Sequence, residues 1–107
     1  MKTYKPPAGV ATAAKRAIEW ISAGKAGSGF TPVGRRRASQ LASQTPVSAD
    51  TIKRMRSFFA RHEVDKNAEG FHFGEKGYPS AGRVAWDAWG GDAGKRWANS
   101  VKLESDK

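Results

Sequence analysis

A chain of 107 residues without cysteine is one domain with room for one core but not two, and it can hold neither a disulfide framework nor a thiolate metal site. No apolar run approaches the roughly 20 residues that span a bilayer, and the basic start Met1–Pro7 lacks the apolar core of a signal peptide, because Lys15 and Arg16 interrupt the alanine-rich stretch behind it. The net charge of +9 belongs wholly to residues 1–63, which hold twelve Lys/Arg against Glu19, Asp50 and Glu63, whereas residues 64–107 hold seven of each sign. The expectation is a soluble, cytoplasmic protein whose basic half meets a polyanion, nucleic acid before any other.

Within residues 8–23, Val10, Ala14, Ala17, Ile18 and Ile21 share a face at about 100° per residue, opposite Lys15, Arg16 and Glu19, which predicts a first amphipathic helix. Trp20 lies at the edge of that stripe. Gly24-Lys25-Ala26-Gly27-Ser28-Gly29 ends it, and residues 24–30 are expected to be mobile because they carry too little apolar surface to offset ordering. Thr31-Pro32 reads as an N-cap and a proline at the first helical position, opening a short helix to about Ser43. Arg35, Arg36 and Arg37 crowd its first turns, where each opposes the helix dipole by roughly a few tenths of a kcal/mol. Partner binding accounts for them better than helix stability does; a solvated basic face is the plain alternative.

Gln44-Thr45-Pro46-Val47 reads as a turn, and Ser48 as the cap of a third helix running to about Glu63. Ile52, Met55, Phe58, Phe59 and His62 occupy one face of it, and Lys53, Arg54, Ser57 and Arg61 the other. Residues 64–79 predict an irregular glycine-rich loop pinned by Phe71, Phe73 and Tyr78. Ser80 can cap residues 81–89, Gly90-Gly91 breaks the chain, and Asp92 can cap residues 93–103, after which residues 104–107 fray. No strand alternation is present. The predicted architecture is all-α, a compact bundle of about five short helices: an N-terminal arm over 1–7, a basic half over 8–63, a neutral, aromatic-rich half over 64–103 and a loose tail.

The segment Leu41-Ala42-Ser43-Gln44-Thr45-Pro46-Val47-Ser48-Ala49-Asp50-Thr51-Ile52-Lys53-Arg54-Met55 resembles a helix-turn-helix in spacing. Ala42 is the small residue at the helix crossing, and Val47, Ile52 and Met55 stand where the motif wants apolar side chains. It departs at Pro46, whose fixed negative φ cannot take the left-handed position usually filled by glycine, and at Thr45, polar where the motif is usually apolar. A plain helical hairpin is the competing reading. As a DNA reader, the unit would turn Ala49, Asp50, Lys53, Arg54 and Ser57 to the major groove, with Lys53 and Arg54 foremost. Lys15, Arg16, Arg35, Arg36, Arg37 and Arg61 would lie on phosphates. Asp50 could accept from a cytosine amino group, or simply complement the helix dipole.

From Phe58 to Trp97, the runs Arg61-His62-Glu63-Val64-Asp65-Lys66, Gly77-Tyr78-Pro79-Ser80-Ala81-Gly82-Arg83-Val84-Ala85-Trp86 and Trp89-Gly90-Gly91-Asp92-Ala93-Gly94-Lys95-Arg96-Trp97 resemble a small domain of bacteriophage-encoded proteins. That resemblance implies a compact helical domain, free-standing or within virion and morphogenesis proteins, located in the host cytoplasm or the virion, and it brings no catalytic residues.

His62, Glu63, Asp65, His72 and Glu75 would be the starting point of an enzyme, but their spacing fits no metal motif, and no phosphate-cradling glycine loop, paired serine nucleophile or cysteine is present. His62 continues an apolar face and is expected to be buried and hydrogen-bonded; His72 is expected on the surface. Trp86 and Trp89, three apart, are expected in the core rather than stacked on bases, because a chain poor in Leu, Ile and Val must bury its rings. Gly82 and Ala85 are expected to let a helix approach those rings closely. The expectation is therefore a non-enzymatic protein without cofactor or metal that binds duplex DNA through basic helices. The alternative is a virion component or inhibitor that docks the same surface on an acidic protein.

Overall fold

The computed structural model describes residues 2–27 and 31–106, and in it five helices carry the chain: α1 (Ala8–Ser22), α2 (Pro32–Ala42), α3 (Ala49–His62), α4 (Ala81–Ala88) and α5 (Gly91–Ser100). The all-α expectation holds, with one small addition. β1 (Thr3–Tyr4) pairs antiparallel with β2 (Val47–Ser48), so the arm over 2–7 is stitched to the turn before α3. Pro6 is buried there, and the Gln44 side-chain amide donates to its carbonyl at 2.9 Å. Two residues are too few to show the period-2 alternation that marks a strand.

Helix boundaries follow the capping chemistry. Thr31 accepts from the Gly34 N–H at 3.2 Å, Ser48 from Thr51 at 3.2 Å and Ser80 from Arg83 at 3.0 Å, each satisfying an N-terminal donor that the helix leaves unpaired. At the C-terminus of α1, Lys25 N–H reaches Trp20 O and Gly24 N–H reaches Ile21 O, with Gly24 at φ 79°. This is the paired Schellman closure. It bonds Gly24 and Lys25 back to α1, and Ala26 beyond them is buried, within the segment expected to be mobile; residues 28–30 of that segment lie outside the described residues. α2 ends the same way, with Thr45 N–H on Gln40 O and Gln44 N–H on Leu41 O. Gln44, at φ 54°, occupies the left-handed position, so Pro46 is never asked to.

Two expectations fail at α5. The helix starts at Gly91, and Gly90 before it, at φ 109°, supplies no side-chain cap. Asp92 is not the cap; its Oδ1 accepts from the Trp86 indole N–H at 3.0 Å. A Cβ on Gly90 would sit 2.9 Å from both the Gly94 Cα and the Val10 Cγ1, so that position needs glycine for space as well as for φ.

α1 packs on α2, α4 and α5, and α3 packs on α5, around a core of Val10, Leu41, Ile52, Met55, Phe59 and Trp86. Gly82, expected to ease the approach of a helix to the rings, instead lies against Asp65, whose Cβ would be 3.0 Å from an added Cβ. Gly94 has the tighter position, its missing Cβ being 2.6 Å from Trp89 O and 3.3 Å from the Phe59 ring.

The tail expected to fray is anchored through Asp106. Leu103 is buried, and Glu104–Asp106 forms a 3₁₀ turn. The Arg56 guanidinium donates to Ala98 O at 2.8 Å, Val101 O at 2.6 Å and both Asp106 carboxylate oxygens at 2.9 and 3.0 Å. One arginine therefore satisfies carbonyls at the end of α5 and fixes the segment beyond it. The Arg56 bond, seconded by the Leu103 N–H, holds the Asp106 pKa down from 3.8 to about 2. A depressed carboxylate pKa contributes stability that is present above the unfolded value and lost as pH falls through the folded one. The Leu103 amide resonance is accordingly expected to be constant above pH 4 and to shift with a midpoint near 2; a midpoint at the ordinary carboxylate value would show that the anchor does not form in solution.

Candidate nucleic-acid interface

The basic half folds so that the outer face of α3 lines a groove of about 470 Å³ formed by Val33, Asp50, Lys53, Arg54, Ser57, Arg61 and Trp89. Positions 50, 54, 57 and 61 recur at helical spacing, so burying Ile52, Met55, Phe58 and Phe59 necessarily turns this set outward. The four α3 residues singled out from sequence, Lys53, Arg54, Ser57 and Arg61, all line the groove. Val33, on α2, brings one wall. Arg36 and Arg37 follow it by three and four residues and so continue that side of α2.

Electrostatically the groove is positive. Among the described residues Lys53 and Arg61 have no carboxylate partner, and Asp50 meets only Arg54, whose Nε donates to Asp50 Oδ2 at 2.8 Å. That bond lowers the Asp50 pKa and raises that of Arg54.

The arginine triplet divides. Arg36 is exposed and, three residues after Val33, falls on the same side of α2, though it is not among the groove's lining residues. Arg35, two residues from Val33 and so about 200° round α2, falls on the other side. Arg37 is half-buried: it donates to Gln40 Oε1 at 2.6 Å and Thr51 Oγ1 at 3.4 Å, and lies 5.3 Å from the centre of the Trp89 ring. Burial first, then repulsion from Arg54 and Arg36, lowers its pKa. It links α2 to α3 and to the end of α4 rather than standing free for a phosphate.

Arg16 is likewise taken, by Asp87. The Asp87 carboxylate is 1 % exposed and meets Arg16 Nε at 2.8 Å and Arg83 Nε at 3.3 Å. Lys15 is exposed on α1 and is not among the groove's side chains. Of the nine residues expected at an interface, the structure thus brings Lys53, Arg54, Ser57 and Arg61 together, leaves Lys15, Arg35 and Arg36 exposed outside the groove lining, and assigns Arg16 and Arg37 to internal contacts. The pairing of Arg83 with Asp87 escapes the sequence reading although its spacing of four is visible there. Arg56 carries no local signal, its partners being 42 to 50 residues away.

The two helices of the helix-turn-helix-like segment pack mainly on other elements, α2 on α1 and α4 and α3 on α5, so a crossing at Ala42 is not the principal contact of either. Trp86 is buried and Trp89 half-buried, as expected of core rings. Phe58 stacks on Trp89 at 4.7 Å and on His62 at 4.3 Å. His62 is partly exposed rather than buried, its Nδ1 3.1 Å from Asp65. Phe73, expected to pin its loop, is 88 % exposed, and Phe71 and Tyr78 take that role. His72 lies on the surface.

What fold and site define is a small all-α bundle with a cationic groove along one helix. No protein-family model, curated protein or solved structure matches the chain. No described helix is long and apolar enough to cross a membrane.

Proposed function

We propose that the protein is a non-enzymatic nucleic-acid-binding protein that holds duplex DNA against the outer face of α3. The observation that carries this reading is the groove itself, where Lys53, Arg54 and Arg61 converge with a single carboxylate among them. Uncompensated cations that repel one another do nothing for the fold, and phosphates would neutralise them with release of counterions. The aromatic ring at the groove favours duplex over single strands: Trp89 is already engaged by Phe58 and Arg37, leaving an edge rather than a stacking platform. The resemblance of residues 58–97 to phage domains makes a phage-encoded protein of the host cytoplasm the natural setting.

A second reading, docking on an acidic protein as a virion component or inhibitor, is favoured by Val33, which is 46 % exposed on the groove wall and suits a protein contact better than a phosphate.

Binding to a duplex across a salt series separates the two. Arg36→Glu and Arg54→Glu are expected to weaken binding more than Lys95→Glu or Lys102→Glu, because Lys95 is already bonded to Glu63 at 2.9 Å and both lysines belong to the neutral half. At Arg36, which the sequence places on phosphates, losing the cation should also lower the log–log salt slope by roughly 0.9. Melting temperature should barely move, since Arg36 is exposed and Arg54 pairs only with an exposed carboxylate. Equal weakening at all four positions would mean diffuse attraction only, and no binding at about 50 mM salt would favour the acidic protein.

A further inference from the structure

We propose that Arg54, braced by Asp50, is a specificity-determining residue that reads a guanine in the major groove. The inference rests on the duplex-DNA reading above and goes beyond it, from affinity to sequence choice. Arg54 lies in the second turn of α3, within the N-terminal part of a helix that in DNA readers reaches base edges. Its Nε is spent on Asp50 Oδ2, one turn earlier, at 2.8 Å. That bond sets the plane of the guanidinium and leaves Nη1 and Nη2 without a partner among the described residues. Two parallel N–H donors at the end of an oriented fork match the O6 and N7 acceptors of guanine.

The neighbouring cations lack this combination. Arg56, on the same helix, has its terminal nitrogens consumed by Val101 and Asp106. Arg61 has no carboxylate to orient it among the described residues, and Lys53 is a point charge without a fork. The arrangement also accounts for a carboxylate in a groove that otherwise collects cations. Against phosphate Asp50 would repel; as the brace of a base-reading arginine it is directed at its neighbour.

The test starts from the full chain and a pool of duplexes with a randomised centre, selected by binding. The selected sites should share a guanine. Replacing that base by 7-deazaguanine, which removes the N7 acceptor, should weaken binding by roughly 5- to 100-fold. Arg54→Gln should bind guanine and 7-deazaguanine duplexes alike, and Asp50→Asn should shrink the preference while preserving the salt slope. Both side chains are exposed, so an unchanged melting temperature certifies that the variants fold. Salt-dependent binding that enriches no guanine, or an enriched guanine indifferent to loss of N7, would overturn the inference and leave DNA binding standing. No binding to any duplex at low salt would overturn both.

Discussion

Trp86→Ala is expected to destabilise the protein by about 3–5 kcal/mol, the range for truncating a fully buried tryptophan. The ring is 1 % exposed and is met edge-on by Phe59 at 4.8 Å and by Phe71 at 5.9 Å. Its indole N–H is bonded to Asp92, and the Lys66 ammonium lies 4.6 Å from its centre. The rings around it are rigid and α1 and α5 are rich in alanine and glycine, so little can move in to fill the space. For a domain of this size such a penalty takes a large share of a total of about 5–15 kcal/mol. Urea denaturation followed by near-ultraviolet circular dichroism reads it directly. Trp86→Phe, which keeps an aromatic body and forgoes the bond to Asp92, should cost clearly less. A penalty below about 1 kcal/mol for the alanine variant would mean that the ring is not a core element.

The second large effect is expected from Asp87→Ala. Its buried carboxylate joins Arg16 of α1 to Arg83 of α4, and Arg83 also donates to Phe71 O at 2.9 Å, tying the glycine-rich loop to the same point. Removing one member of a buried ion network strands the others, at about 3–5 kcal/mol. Arg16 can swing towards solvent, being 42 % exposed, whereas Arg83 at 20 % cannot easily follow. Arg16→Ala should therefore cost less than Asp87→Ala, and a double-mutant cycle should give a coupling energy between the two sites. Equal stability of wild type and Asp87→Ala would show the network to be energetically idle. Neither variant touches the α3 groove, so under the proposed DNA-binding function any folded fraction should keep an unchanged salt slope.

Most of the helices are set by local signals. Thr31-Pro32, Ser48 and Ser80 mark helix starts through the bond each cap makes to a backbone N–H three residues on, which depends on nothing distant. The face of α3 follows from its own periodicity, so Lys53, Arg54, Ser57 and Arg61 are legible in the chain as one outward group. Where local chemistry allows two answers, the surroundings choose. Asp92 has the chemistry to cap α5, yet the Trp86 indole claims it. Phe73 has the apolar surface to pack, yet Phe71 is the ring of that loop that reaches the core, with Tyr78 half-buried beside it.

Helical periodicity, caps, charge asymmetry and the cationic face of α3 can be read from the chain because each depends on residues within about two turns of one another or on composition alone. Which cations are free is a matter of packing. Helical phase sets Arg54 and Arg61 on the outward face of α3, but nothing local to Arg16, Arg37 or Arg56 names the partner that will take it. These last three have their guanidinium groups committed to partners on other elements, Asp87, Thr51 and Asp106 among them. Arg36, Arg54 and Arg61 have no such long-range partner among the described residues, and Arg54 bonds only within its own helix. Charge is a property of the side chain, but its availability to a ligand depends on which carboxylates and carbonyls the packed helices bring within hydrogen-bonding distance.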